Sequence, residues 1–286
     1  MTNPGNRKNS AGRLLTRRRF LGLSLAGAGM AFGSGIYARF VESDWFEVRK
    51  VLLPKGKFPG AAGLRILHLS DLHWSGAVSL QMLERAFRMG LDLKPDLICL
   101  TGDFVTNGFP SEPSKYSKLM RILSDKAPTF ACQGNHDVPV QPIKEMLEAG
   151  GVRFLQNETV FLSLQGRPVR ITGLSDLWSG HLDPALCMDL LSEANNGPVP
   201  HILLCHNADG KENVRDYAWD IMLSGHTHGG QICLPFYGAI VLPVQDRGFV
   251  AGLYSWENRL IYITRGVGNL HGIRFWCRPE ITLLVS

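Results

Sequence analysis

The sequence predicts an α/β fold with mixed sheets. Three observations carry that expectation. Short apolar β-type runs recur from residue 64 onward. Helical periodicities separate the early runs. The later runs follow as paired strands. Strands alternating with helices read as parallel units, and strands met in succession add antiparallel pairs. A length of 286 residues is enough for a sizeable core.

The N-terminal segment stands apart. Residues 1–40 hold seven basic residues (Arg7, Lys8, Arg13, Arg17, Arg18, Arg19 and Arg39) and no acidic ones. The chain carries +5, so the rest, with 23 basic and 25 acidic residues, stands at −2. A body with that balance offers no support for nucleic-acid binding. After the basic stretch comes an uncharged run, Phe20 to Ala38, with glycines at 22, 27, 29, 33 and 35. A basic region followed by a weakly apolar one reads as an export signal, and Arg17-Arg18-Arg19-Phe20-Leu21 resembles a bacterial twin-arginine signal. The run is also about long enough for a marginal membrane span. Residues 1–40 are therefore read as a twin-arginine-type signal or a membrane anchor. The expected partner is the twin-arginine translocase or the inner membrane, and the expected place the periplasm, the cell envelope or the inner membrane.

Residues 41–63, with Pro54, Gly56, Pro59, Gly60 and Gly63, read as a connector. The strand-like runs are Leu64–Leu69, Leu97–Leu100, Thr129–Cys132, Val169–Thr172, Ile202–Cys205, Ile221–Leu223, Leu260–Thr264 and Ile281–Val285. Between them Leu80–Leu93 places Leu83, Phe87 and Leu91 on one face, and Pro95 stops it. Tyr116–Leu123, Pro142–Ala149 and Pro184–Ala194 also read as helical. The six cysteines form no C-x-x-C pair. Cys99, Cys132, Cys205 and Cys277 lie in or beside apolar runs, as small core residues do.

Chemistry-bearing residues gather where strands end. The first run leads into Asp71 and His73, the second into Asp103, the third into Gly134-Asn135-His136-Asp137. The Ile202 run ends in His206, and the Ile221 run leads to Gly225-His226-Thr227-His228. Open α/β sheets build their sites at that end of their strands. Asp, Asn and His give oxygen and nitrogen donors without thiolate, which suits Mn, Zn, Fe or Co. Seven donors exceed one tetrahedral site. They suit two ions sharing a carboxylate, roughly 3.5–4 Å apart.

This motif set, in this order over residues 64 to about 240, resembles the calcineurin-like metallophosphoesterases. The tail, at Arg265-Gly266-Val267-Gly268 and Arg278-Pro279-Glu280-Ile281, resembles a bacterial branch. Many members of that branch are membrane-associated or carry a twin-arginine leader, and it includes enzymes similar to UDP-2,3-diacylglucosamine pyrophosphatases and cell-envelope phosphodiesterases. The resemblance implies a four-layer αββα sandwich over 64–286. It implies that Asp71, His73 and His228 hold one metal ion, that Asn135, His206 and His226 hold a second, and that Asp103 bridges them. His136 would serve as general acid or transition-state stabiliser, with Asp137 orienting its ring. The implied reaction is hydrolysis of a phosphodiester or pyrophosphate bond by a hydroxide shared between two divalent ions.

Arg247, Arg265 and Arg274 are candidate phosphate contacts, because the guanidinium fork suits phosphate oxygens. His271, in a glycine-rich loop, is a candidate substrate contact. His68 and His201 read as structural. Phe109, Trp45-Phe46 and Phe275-Trp276 are candidates for an apolar mouth, although core packing is the commoner use of such residues. The leading functional expectation is a phosphoesterase acting on a membrane-lipid or nucleotide-sugar-lipid precursor. The alternatives are a periplasmic phosphodiesterase or phosphatase for soluble or cell-wall substrates, and an inactive binding scaffold on the same fold.

Overall fold

A computed structural model describes residues 17–106, 108, 110, 112–189 and 199–286. The leader's Arg7, Lys8 and Arg13, the aromatic Phe109 and the end of the expected 184–194 helix lie outside the described residues. By backbone contacts the chain forms two units, 1–37 and 38–286.

In the first unit, the described residues belong to helix α1 (Arg17–Phe40). Its apolar side chains are exposed, Leu25 and Phe32 each at 74%. It is long and apolar enough to cross a membrane by length and composition.

The second unit carries two six-stranded sheets. The first uses β1 (Glu47–Leu52), β2 (Arg65–Leu69), β3 (Leu97–Thr101), β4 (Thr129–Cys132), β5 (Arg153–Leu155) and β14 (Glu280–Val285), in the order β1-β14-β2-β3-β4-β5. The second uses β6 (Glu158–Leu164), β7 (Arg167–Gly173), β8 (His201–Leu204), β9 (Ile221–Ser224), β12 (Gly252–Trp256) and β13 (Arg259–Ile263), in the order β12-β13-β9-β8-β7-β6. A small hairpin pairs β10 (Cys233–Leu234) with β11 (Gly238–Ala239). Both sheets are mixed, as expected. β2, β3, β4 and β5 run parallel, and β14 lies antiparallel to β2. The second sheet is parallel through β7, β8, β9 and β13, with β6 and β12 antiparallel at its edges.

Helices α2 (Leu80–Leu91), α3 (Pro113–Ser124) and α4 (Val140–Ala149) cover one face of the first sheet. α2 starts at Ser79, whose hydroxyl accepts from the Met82 N–H, and buries Leu83, Ala86 and Phe87. α3 starts earlier than its apolar periodicity indicates, since Pro113 fits a first helical turn. The other face of this sheet packs on the second sheet through Ile66, Cys99, Phe130, Ile171, Leu204 and Leu223, among others. The outer face of the second sheet is covered by loops and 3₁₀ turns at Pro184–Leu186 and Ala208–Glu212, rather than by α-helices among the described residues. Pro184 opens a short capped turn where a helix was expected. All six cysteines are free, and Cys99, Cys132, Cys205 and Cys277 are buried.

The segment 41–63 holds more than a connector. β1 within it pairs in parallel with β14 over six residues. Its burial alternates between half-buried and exposed, so its apolar content is too low to announce a core strand. β5, β6 and β12 likewise escape an apolar-run search, because they are short or lie at sheet edges.

One buried polar knot ties the sheets together. Glu280, at the start of β14, accepts from Tyr262 Oη of β13 at 2.6 Å, Thr282 Oγ1 at 2.7 Å and Arg265 Nε at 2.7 Å. Burial alone would raise its pKa. The Arg265 charge and these hydrogen bonds outweigh burial and hold it below 4.5. A depressed carboxylate stabilises the fold above its unfolded pKa, and that share is lost as pH falls through the folded value. Glu280→Gln should therefore cost about 3 kcal/mol near neutral pH. Urea unfolding of both proteins across pH should show that difference shrinking once the pH drops below about 4.5.

Candidate active site

The site lies beyond the C-terminal ends of parallel strands from both sheets. β2, β3 and β4 deliver Asp71 and His73, Asp103, and Asn135. β8 and β9 of the second sheet deliver His206, then His226 and His228. The structure thus brings all seven expected donors together. Asp71, His73 and His228 form one buried group, and Asp103, His206 and His226 a second. Asp103 Oδ2 lies 3.5 Å from His73 Nε2 and 3.2 Å from His206 Nε2, so one carboxylate oxygen faces both groups. Asn135 Oδ1 lies 3.2 Å from His206 Nε2.

The ring nitrogens point at one another. His206 Nδ1 is 2.6 Å from the Thr101 carbonyl, and His226 Nε2 is 2.9 Å from the Pro243 carbonyl. A carbonyl only accepts, so those nitrogens carry the protons in neutral rings. The lone pairs then sit on His206 Nε2 and His226 Nδ1, 3.2 Å apart. The Thr106 hydroxyl donates to the His73 carbonyl and lies 3.4 Å from His73 Nδ1, which leaves the His73 lone pair on Nε2. That atom lies 3.0 Å from His228 Nε2. Outer carbonyls and hydroxyls commonly fix ligand imidazoles in this way. Lone pairs converging with two buried carboxylates are what divalent cations satisfy, and the donor set fits them.

Burial and the two carboxylates set the field of the site. Burial pushes His73 down to about 4 and His226 down to about 3. Burial opposes charge on His206 too, but the Asp103 and Asp71 carboxylates hold it up at about 10. His206 and His73 keep Asp103 well below the usual carboxylate range against its own burial.

Local backbone is bent to make this geometry. Asp71, His73, Asp103, His226 and His228 all have φ between 47° and 68°. Such left-handed positions cost about 1–3 kcal/mol each outside glycine. Gly225 makes the close packing possible, since a Cβ there would meet Ser70 and the Asp71 carboxylate.

His136 sits beside the donors, its ring 5.0 Å from that of His73. Its Nδ1 lies 2.7 Å from the Thr106 carbonyl, and this contact orients the ring. The expectation that Asp137 does so is corrected. The Asp137 carboxylate is fully buried and accepts three backbone N–H bonds, from Asp103, Phe104 and Gly134, each at 2.8 Å. It pins the β3 and β4 loops together.

Two arginines leave the candidate substrate set. Arg274 is fully buried, and its guanidinium donates to the carbonyls of Gly268, Arg265, His228 and Cys277. Arg265 is paired with Glu280 and Glu47. Both are spent on structure. Arg247 is exposed and does not line the pocket, whereas His271 does. His68 and His201 are buried and bonded to Thr101 and Thr172, in keeping with structural roles. Trp178, Gln231, Thr106 and the Thr101 and Pro243 carbonyls were not singled out as site residues. Backbone acceptors leave no residue-type signal, and Trp178, edge-on to His226 at 4.4 Å, lies in an irregular loop. Beside the donors opens a pocket of about 520 Å³, whose apolar lining includes Ile232, Ile240, Val241, Pro243 and Leu270.

The sequence profile of the calcineurin-like phosphoesterases matches residues 64–230. The chain belongs to that family. It is 42% identical to phosphodiesterase YaeI of Escherichia coli over 95% of this chain and 99% of that protein. It is 34% identical to the uncharacterised metallophosphoesterase YkuE of Bacillus subtilis, over 94% and 96% of the two chains. UDP-2,3-diacylglucosamine pyrophosphatase LpxG of Chlamydia trachomatis is 28% identical, over 87% and 92%. Among solved structures, Haemophilus influenzae NAD nucleotidase aligns with a TM-score of 0.48 at 14% identity, over 72% of this chain and 45% of that one. The chain thus spans about half of that protein. The protein is a metal-dependent phosphoester hydrolase, of a family that uses divalent metals.

Gly225→Ala should lower turnover of bis-p-nitrophenyl phosphate about 100-fold by displacing the Asp71 carboxylate. An unchanged far-ultraviolet circular dichroism spectrum with that loss is the expected result, and full activity would contradict the packing described.

Proposed function

We propose that the protein hydrolyses a phosphodiester or pyrophosphate bond of a membrane-lipid or nucleotide-sugar-lipid precursor. The convergence of imidazole lone pairs and two carboxylates across the sheet junction carries the hydrolytic part of this reading. Asp71, His73 and His228 would hold one divalent ion and Asn135, His206 and His226 a second, with Asp103 between them. Mn, Zn and Fe all suit this donor set. When bound, such ions polarise phosphoryl oxygens and make water more acidic.

The chain's own residues do the rest. The loops after both sheets hold the donors rigidly, so little reorganisation accompanies the reaction. His136 has its Nδ1–H held by the Thr106 carbonyl, and in its imidazolium form the second proton, on Nε2, would be the one given or hydrogen-bonded to the leaving oxygen. Asp137 keeps the backbone under Asp103 and His136 in place. The apolar wall supports an acyl-bearing substrate, as does the likeness to LpxG. The likeness to a protein named phosphodiesterase supports the second reading, a periplasmic phosphodiesterase or phosphatase for soluble or cell-wall substrates.

We assign residues 1–40 to a signal or inner-membrane anchor, 41–63 to the link that supplies β1, and 64–286 to the catalytic domain. Replacing Arg17-Arg18 by Lys-Lys and fractionating cells tests twin-arginine export, and unchanged localisation would refute it.

Two outcomes test the chemistry. Chelation with EDTA should abolish bis-p-nitrophenyl phosphate turnover, and added Mn or Zn should restore it. Retained activity in metal-free protein would overturn the mechanism. His136→Asn should lower kcat by about 10²–10⁴ while metal content by mass spectrometry stays at the wild-type value. Comparing UDP-2,3-diacylglucosamine with soluble mono- and diesters decides between the two substrate readings.

A further inference from the structure

The segment between His228 and Asp246 contains no charged residue, yet much of it faces outward. Phe236, at the tip of the β10–β11 hairpin, is fully exposed, Tyr237 is 76% exposed and Val241 69%. Leu234 and Ile240 add to the same surface. A contiguous exposed apolar patch of this kind marks an interaction surface. It is continuous with the pocket, because Ile232 at the hairpin's root and Ile240 and Val241 just after it line the apolar wall.

A second set of contacts ties this surface to residues 38 and 39. Ile232 bridges to Phe275, and Cys233 N–H donates to the Phe275 carbonyl at 2.8 Å, so the hairpin is rooted on the 270–276 loop. The same loop holds the point where the chain arrives from α1. Arg274 N–H donates to the Ala38 carbonyl at 3.1 Å, and the Arg39 guanidinium packs on Gly272. Residues 38 and 39, at the start of the second unit, therefore lie against the loop that carries both the hairpin and the pocket rim. Around this junction lie exposed Trp276 and Trp45, with Arg278 over the Trp45 ring at 4.2 Å. Tryptophan, tyrosine and arginine at the rim of an apolar surface are the residues that settle at a lipid headgroup layer.

We propose that the β10–β11 hairpin inserts into the lipid surface of a bilayer and seats the pocket mouth on it. Phe236 and Tyr237 would enter the acyl boundary, and Ile240 and Val241 would join the lipid phase to the pocket wall. The catalytic site then draws substrate laterally from the membrane. This rests on the reading of residues 1–40 as an anchor and of the substrate as lipid-linked.

The test uses the full chain carrying Phe236→Trp, reconstituted into vesicles of phosphatidylethanolamine and phosphatidylglycerol with brominated acyl chains. Phe161→Trp, at an exposed position of β6, serves as the comparison. Relative to wild type, the tryptophan added at 236 should emit at shorter wavelength and be quenched by the brominated lipid, while that at 161 should not. Tyr237→Trp should give the same readout if the first variant fails to fold. Bis-p-nitrophenyl phosphate turnover should stay at the wild-type rate in each. An added tryptophan at 236 no more quenched than that at 161, in a chain that floats with the vesicles, overturns the proposal. So does equal quenching at both positions, or protection at 236 in a detergent-solubilised dimer, which would make a second copy the occupant. A wild-type chain that does not float refutes the anchor instead, and loss of soluble turnover in wild type refutes the metal-centre reading.

Discussion

The catalytic unit is organised around the Asp103 carboxylate. One of its oxygens faces a histidine from each donor group, and its other oxygen accepts the His136 backbone N–H at 2.8 Å. The first sheet supplies Asp71, His73, Asp103 and Asn135, and the second supplies His206, His226 and His228. Neither sheet can build the site alone. The contact of the two sheets is therefore part of the chemistry, and the Ile66, Cys99, Ile171 and Leu204 core between them sets the spacing of the donors. Packing at crystal-like density resists small displacements, which keeps that spacing fixed.

Bringing so many polar groups into one dry place is costly, and the surrounding structure shows how the cost is offset. Left-handed backbone at five donor positions breaks the extended course of the chain just past the strand ends, where the donors stand. Glycines stand where a side chain would collide with a carboxylate. Asp137 and Arg274, fully buried, bind loop backbone from behind. A charged group buried against backbone acceptors or donors stiffens the loop that carries them. This is why two residues that look like catalytic or substrate-binding groups by type turn out to hold the loops.

Much of this was legible in the sequence. The apolar runs that end in Asp, Asn or His mark the parallel strands, because a strand buried on both faces must be continuously apolar. The seven donors are legible for the same reason, each standing just past such a run. β1, β5, β6 and β12 were not, since edge strands need only one apolar face and short ones give no periodicity. The misassignments at Asp137, Arg265 and Arg274 share one cause. Residue type tells what a side chain can bind, but not whether backbone groups already occupy it. Thr106 escaped notice because its work is done partly through a carbonyl, which every residue has.

β14 has a consequence for how the molecule is made. It lies between β1 and β2 in space, though it follows every donor residue in the chain. Until it is in place, β2 lacks a neighbour on one side, and Glu280 cannot close the knot with Tyr262. A nascent chain that has already exposed Asp71 through His228 must wait for more than fifty further residues before the first sheet is continuous. Such long-range closure slows folding. The order of synthesis thus keeps the first sheet, and the donors it carries, unfinished until the last strand arrives.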